Sequence, residues 1–173
     1  YETGDMLSDV VNMLWIRAKE KGLEFHINVD PLLPAQLFGD EVRIKQILIN
    51  VLNNAVKYTK SGGNITLMVR ELSTNGGSSE LYFAVEDDGI GISEEDQERV
   101  FRSFEQVKDY KSIYKQGTGL GLAIAANVAR IHGGSIAAKS SLEGTVFSVM
   151  LPSTHEENIE DDNHATQEVS DES

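Results

Sequence analysis

The sequence predicts an α+β fold, a two-layer α/β sandwich in which one sheet is covered on one face by helices. Two observations carry that reading. Long stretches with apolar residues at helical spacing alternate with pairs of strand-like runs. Glycine, proline and Asx residues then punctuate the boundaries between them.

The elements follow in chain order. Residues 5–21 place Met6, Val10, Val11, Leu14 and Ala18 on one side of a helix, which should stop at Gly22. Leu23, Phe25, Ile27 and Val29 then alternate as a strand up to Asp30-Pro31. Residues 40–59, DEVRIKQILINVLNNAVKYT, repeat Val42, Ile44, Ile47, Leu48, Val51, Leu52 and Ala55 at the spacing of an amphipathic helix. Ile65, Leu67 and Val69 open a hairpin with a loop at 73–79, and the chain returns through residues 81–85. Ser93-Glu94-Glu95-Asp96 resembles a capping box with Asp in place of Glu or Gln, and should open a short helix. Residues 119–131 form the third long helix. Residues 136–139 and 146–151 make a last strand pair around Glu143-Gly144. Trp15 and His132 read as packing or surface residues. There are no internal repeats.

Length and composition set limits. The 173 residues reduce to about 150 once the tail is set aside, ordinary for one domain. Two segments are expected: a domain over 1–152 and an acidic disordered tail or linker over 153–173. The tail carries Glu156, Glu157, Glu160, Asp161, Asp162, Glu168, Asp171 and Glu172 with no Lys or Arg. The absence of cysteine excludes a disulfide framework. No apolar run reaches the roughly 20 residues that span a bilayer, so no membrane contact and a cytoplasmic location are expected. The chain opens on Tyr1 instead of Met, which reads as a piece cut from a longer protein, for which an inner-membrane sensor is one expectation. A net charge of −13 argues against a nucleic-acid surface.

Three segments carry candidate chemistry. Gln116-Gly117-Thr118-Gly119-Leu120-Gly121-Leu122 is a glycine-dense turn running into an apolar helix. Glycines let backbone approach an anion while the helix's first amides point at it, so a polyphosphate would fit; a tight turn would use the same residues. Asp87, at the end of a strand and followed by Gly89 and Gly91, could accept a hydrogen bond from an amine such as that of adenine; a plain Asp-Gly turn is the other reading. On the long helix, Asn50, Asn54 and Lys57 share one face. An asparagine oxygen can ligate Mg²⁺, whereas a single Asn could equally cap or pack. Between 99 and 115, Arg99, Arg102, Lys108, Lys111 and Lys115 outnumber Glu105 and Asp109. This basic loop could close as a lid with Tyr110 and Tyr114 shielding the site, or be a solvated surface.

Together these residues resemble a family. NVLNNAVKYT is similar to the N box, DDGIGI to the first glycine box, VFRSFEQ to the F box and GTGLGL to the second glycine box of the catalytic ATP-binding domain of sensor histidine kinases. Gyrase, a heat-shock chaperone and a mismatch-repair ATPase share that GHKL superfamily. The four motifs stand in family order within about 1–152.

The resemblance implies a Bergerat-type sandwich, a mixed sheet of about five strands covered on one face by three helices, with ATP and Mg²⁺ as ligands. Asp87 would recognise adenine, with Gly89, Gly91 and Tyr58 around it. Asn54 would ligate Mg²⁺, Asn50 would support the metal through water, and Lys57 would touch phosphate. Gly117, Thr118, Gly119 and Gly121 would form the phosphate loop with Leu120 and Leu122 packed behind it. Phe101 and Phe104 would anchor the lid or be simple core. Ser103 departs from the family, where proline or a basic residue is frequent, which puts a γ-phosphate contact there in doubt.

Hydrolytic members of the superfamily place a glutamate general base four residues before the metal-binding Asn. Here that position is Asn50, an amide that cannot take the proton. The γ-phosphoryl is therefore expected to go to a histidine on a separate dimerisation domain. None of His26, His132, His155 or His164 has that domain's motif around it. The implied partners are that domain, in a parent homodimer, and a response regulator or fused receiver domain; the chain alone is expected to be monomeric. An ATP-operated clamp of the gyrase or chaperone type, and a serine kinase of the anti-sigma-factor kind, are the alternatives.

Overall fold

The computed structural model describes residues 1–73, 79–102 and 120–153. Its elements are α1 (Thr3–Glu20), β1 (Glu24–Val29), α2 (Glu41–Tyr58), β2 (Asn64–Ser73), β3 (Ser79–Asp87), α3 (Gly121–Ile131), β4 (Ser135–Ser141) and β5 (Gly144–Ser153). Five strands form one sheet in the order β1-β2-β3-β5-β4. β1 and β2 run parallel, which requires the crossover that α2 supplies, and every other pair is antiparallel. The expected α+β sandwich with a mixed five-strand sheet is what the chain adopts.

Strand alternation decides which face is covered. Ile65, Leu67 and Val69 of β2, Leu81, Phe83 and Val85 of β3, and Phe147, Val149 and Leu151 of β5 lie on one face and are buried. They share a single core with Met6, Val10 and Leu14 of α1, Ile47, Leu48, Val51 and Leu52 of α2, and Leu122, Ala125 and Ala129 of α3. All three helices therefore sit on the same side of the sheet.

Local chemistry ends the helices where expected. Lys21 caps α1, Gly22 follows at φ +72°, Leu23 N–H bonds the Ala18 carbonyl and Gly22 N–H that of Lys19. That pair of bonds is a Schellman motif, which needs the left-handed glycine. α3 closes the same way through Gly133 at φ +75°, with Gly134 N–H on Ala129 and Gly133 N–H on Arg130. Asp40 caps α2 by accepting from Arg43 N–H at 3.1 Å. At the other end of α2, Lys21 Nζ donates to the Val56 and Lys57 carbonyls at 2.7 and 2.9 Å, placing a cation on the negative end of the helix dipole. Burial lowers the pKa of Lys21.

Four expectations need correction. Ser93-Glu94-Glu95-Asp96 opens only a 3₁₀ turn, Glu94–Asp96, because Ser93 Oγ donates to the Asp96 carboxylate at 2.7 Å and no side chain caps the backbone. A second such turn, Arg99–Phe101, follows. α3 begins at Gly121, later than residue 119, which lies outside the described residues. In β1, Phe25 is buried, but Ile27 and Val29 remain 47% and 39% exposed, because β1 is an edge strand that the helical layer only partly covers. β5 runs through Ser153, whose Oγ donates to Glu71, two residues beyond the strand end expected at 151. The hairpin loop at 74–78 and the tail at 154–173 lie outside the described residues. Among the described residues no helix is long and apolar enough to cross a membrane.

Candidate functional site

One end of the sheet is polar where the rest of its covered face is apolar. Register pairs Ile65 with Asp87, Asp87 with Thr145 and Thr145 with Ser140, so three polar side chains stand in one row. Asp87 and Thr145 are only 5% and 4% exposed. Burying a carboxylate is costly unless something binds it. One bond is present: Gly89 N–H donates to Asp87 Oδ1 at 2.9 Å. Burial, against that bond and with the nearby charges of Asp88 and Glu86 adding to it, pushes the Asp87 pKa from 3.8 up to about 6. Its neighbour Asp88 points out and accepts from Asn64 N–H and Asn64 Nδ2 at 2.8 and 3.0 Å, which lowers its pKa. Of two adjacent carboxylates, one pins the start of β2 and the other is buried with a single backbone donor.

Two glycines permit this crowding. A Cβ on Gly89 would stand 2.6 Å from the Tyr58 carbonyl and 2.8 Å from Asp87 Oδ1, so the C-terminus of α2 and the loop after β3 can meet only without a side chain there. A Cβ on Gly144 would overlap the Asp87 carbonyl. Gly91 takes φ +74° against the β4–β5 turn.

α2 forms the wall beside this floor, with α3 packed against it. Asn50 and Asn54 are half-buried on α2, and Asn50 Nδ2 is fully buried without a hydrogen-bond partner. An orphaned amide of this kind calls for a ligand or water to satisfy it. A Cβ on Gly121, the first residue of α3, would lie 3.7 Å from Asn50 Oδ1, so the asparagine faces the start of α3. Among the described residues no side-chain cap closes that helix at Leu120. Leu122 is buried in the core. Lys57 Nζ lies 5.0 Å from the centre of the Tyr58 ring. Asn53, between the two site asparagines, turns the other way and accepts from Arg17 Nη1 at 2.7 Å. Phe101 meets Phe147 edge to face, with centroids 6.1 Å apart, so this ring packs on the core below the site.

The structure sets Tyr58 against Gly89 beside Asp87, Gly91 against the end of β4, and Asn50 against Gly121 at the start of α3, with Asn54 and Lys57 on α2 between Asn50 and Tyr58 and with Leu120 and Leu122 flanking Gly121. Phe104, Gly117, Thr118 and Gly119, with Ser103, Lys108, Tyr110, Lys111, Tyr114 and Lys115 of the expected lid, lie outside the described residues. Sequence reading missed Thr145 and Ser140. The signal for them was a threonine and a serine at inward-facing positions of otherwise apolar strands, readable only once the register with Asp87 is known.

Comparison with known proteins agrees with this geometry. Residues 39–155 match the family described as histidine kinase-, DNA gyrase B- and HSP90-like ATPases. The chain is 39% identical over 148 residues to hybrid signal transduction histidine kinase B of Dictyostelium discoideum, covering 85% of this chain and 8% of that protein. It is 37% identical over 155 residues to the aerobic respiration control sensor protein ArcB of Escherichia coli K12, covering 87% of this chain and 19% of that protein. Among solved structures, full-length ShkA in complex with AMPPNP aligns with a TM-score of 0.75 and 32% identity, over 89% of this chain and 30% of that one. The nucleotide-free catalytic domain of histidine kinase ThkA aligns at 0.73 and 28%, over 88% and 93%. The chain belongs to this ATPase family and is a catalytic, ATP-binding domain of the sensor histidine kinase kind. It spans less than a fifth of the length of the two curated relatives named here.

Proposed function

We propose that this domain binds Mg-ATP between α2, α3 and the polar end of the sheet, and supplies the γ-phosphoryl group to a histidine on a separate dimerisation domain in two-component signalling. The observation that carries the reading is the buried Asp87 carboxylate, which accepts one backbone hydrogen bond; the orphaned amide of Asn50, on the α2 face turned to the start of α3, supports it. Asp87 would take the exocyclic amine of adenine, and Gly89 and Gly91 would let the loop pass beside the base. The phosphates would run toward α3 and the glycine turn that precedes it, with Lys57 in reach of them.

Mg²⁺ fits the residues present. Among the described residues no group of three His, Cys, Asp or Glu could hold a metal, so the donors would be the amide oxygens of Asn54 and, through water, Asn50, together with the phosphates. Bound there, the ion would neutralise charge on the transferred phosphoryl. The amide of Asn50 cannot act as a general base, so water is not activated at this position and the phosphoryl group is kept for the acceptor. Domain limits of 1–152 with a linking tail, a homodimeric parent and a response regulator or fused receiver as the next acceptor complete the reading.

The direct test mixes the chain with γ-labelled ATP and a purified dimerisation domain from a homologous kinase. Acid-labile, alkali-stable label on the dimerisation domain, absent when its histidine is replaced, is the expected result. Rapid phosphate release without transfer would favour the ATPase clamp instead.

A further inference from the structure

Ser140 sits in β4, outside every segment that the nucleotide reading uses, yet its hydroxyl touches three other groups at the polar end of the sheet. Ile92 N–H donates to Ser140 Oγ at 2.6 Å, the Gly144 carbonyl lies 3.0 Å away, and Thr145 Oγ1 lies 3.0 Å away. A hydroxyl has one proton to give and two lone pairs to receive. Ile92 occupies one lone pair. The Gly144 carbonyl can only accept, so it takes the single proton of Ser140. Thr145 can then be satisfied only by donating its own proton into the second lone pair.

We propose that Ser140 is a specificity-positioning residue: by taking the Thr145 proton it turns that threonine into a pure acceptor toward the pocket beside Asp87. Thr145 and Asp87 are register partners on the covered face and both are buried. The pocket therefore offers a base two acceptors and no side-chain donor from this row. An exocyclic amine, with two N–H groups, suits that arrangement. A keto oxygen at the same position faces acceptors only and would leave buried polar atoms unpaired, a mismatch that sites of this type punish heavily. The same serine ties the loop after Asp87 to the β4–β5 hairpin through Ile92, and Gly91 packs so closely there that a Cβ would stand 3.1 Å from Ser140 Oγ.

This inference rests on the ATP-binding reading above, and its test separates the two. Binding of Mg-ATP and Mg-ITP to the full chain is measured by calorimetry for wild type, Ser140→Ala, Ser140→Thr and Thr145→Val, with thermal melting of each. ITP differs from ATP by carrying a keto oxygen where ATP carries the amine, and a proton on the adjacent ring nitrogen N1. Wild type is expected to prefer ATP. Ser140→Ala frees the Thr145 proton to meet the keto oxygen and should narrow the ATP/ITP ratio about three- to tenfold, the worth of one hydrogen bond. Ser140→Thr keeps the hydroxyl and should retain the ratio. A merely structural serine would weaken both nucleotides alike and leave the ratio unchanged, which overturns the proposal. If Ser140→Ala does not fold, Ser140→Cys, whose thiol accepts only weakly, takes its place with the same two readings, and an unchanged ratio in Thr145→Val also overturns the proposal. Wild type that binds neither nucleotide removes the ATP reading and this proposal with it.

Discussion

Asp87 and Asp88 are neighbours in the chain and opposites in environment, and the difference is a matter of strand parity. Asp87 falls on the covered face and Asp88 beyond the strand end, where Asn64 meets it. The raised pKa of Asp87, from 3.8 to about 6, has two consequences of opposite sign. The folded chain holds this proton more tightly than the unfolded one, so the group's contribution to stability declines as pH rises from about 4 through 6. Nucleotide affinity moves the other way, since the ionised carboxylate is the better acceptor. ATP binding is expected to weaken about tenfold between pH 7.5 and pH 5 if only the ionised form binds. Calorimetry across that range checks it. Asp87 was legible in sequence because a strand-like alternation ran directly into Asp-Gly. Thr145 and Ser140 were not, because their place beside Asp87 depends on pairing between strands far apart in the chain.

Helix ends show how far local signals reach. The cap at Asp40 and the glycine stops at Gly22 and Gly133 use only neighbouring residues, and the stop at Gly22 was read from the chain alone. Asp40→Ala is expected to cost about 1 kcal/mol, because the Arg43 amide loses its acceptor. Urea unfolding should register this as a lower midpoint with an unchanged slope. The Ser93 segment had the same kind of signature and failed, since its aspartate captured the serine proton that the expected box leaves free. Lys21 on the last carbonyls of α2, and Arg17 on Asn53, were beyond sequence reading because they join α1 to α2 across the packing interface. Through these contacts α1 steadies the helix that carries Asn50 and Asn54.

For the whole molecule, the layer order was legible because each apolar period has one solution: helices with one stripe and strands with one buried face must share a core. The outer face of the sheet and the edge at β1 carry the exceptions, Ile27 and Val29 among them. At one end of the sheet polar side chains replace apolar ones in the covered row, on the face where α2 and α3 pack against each other. The central claim is that this end binds Mg-ATP and does not spend it on water. Calorimetric titration of ATP into the chain with and without Mg²⁺, with phosphate release followed in the same samples, tests it most directly. Magnesium-dependent binding that Asp87→Asn abolishes, with negligible phosphate release, is the predicted result; steady release of phosphate, or binding indifferent to Asp87, would contradict it.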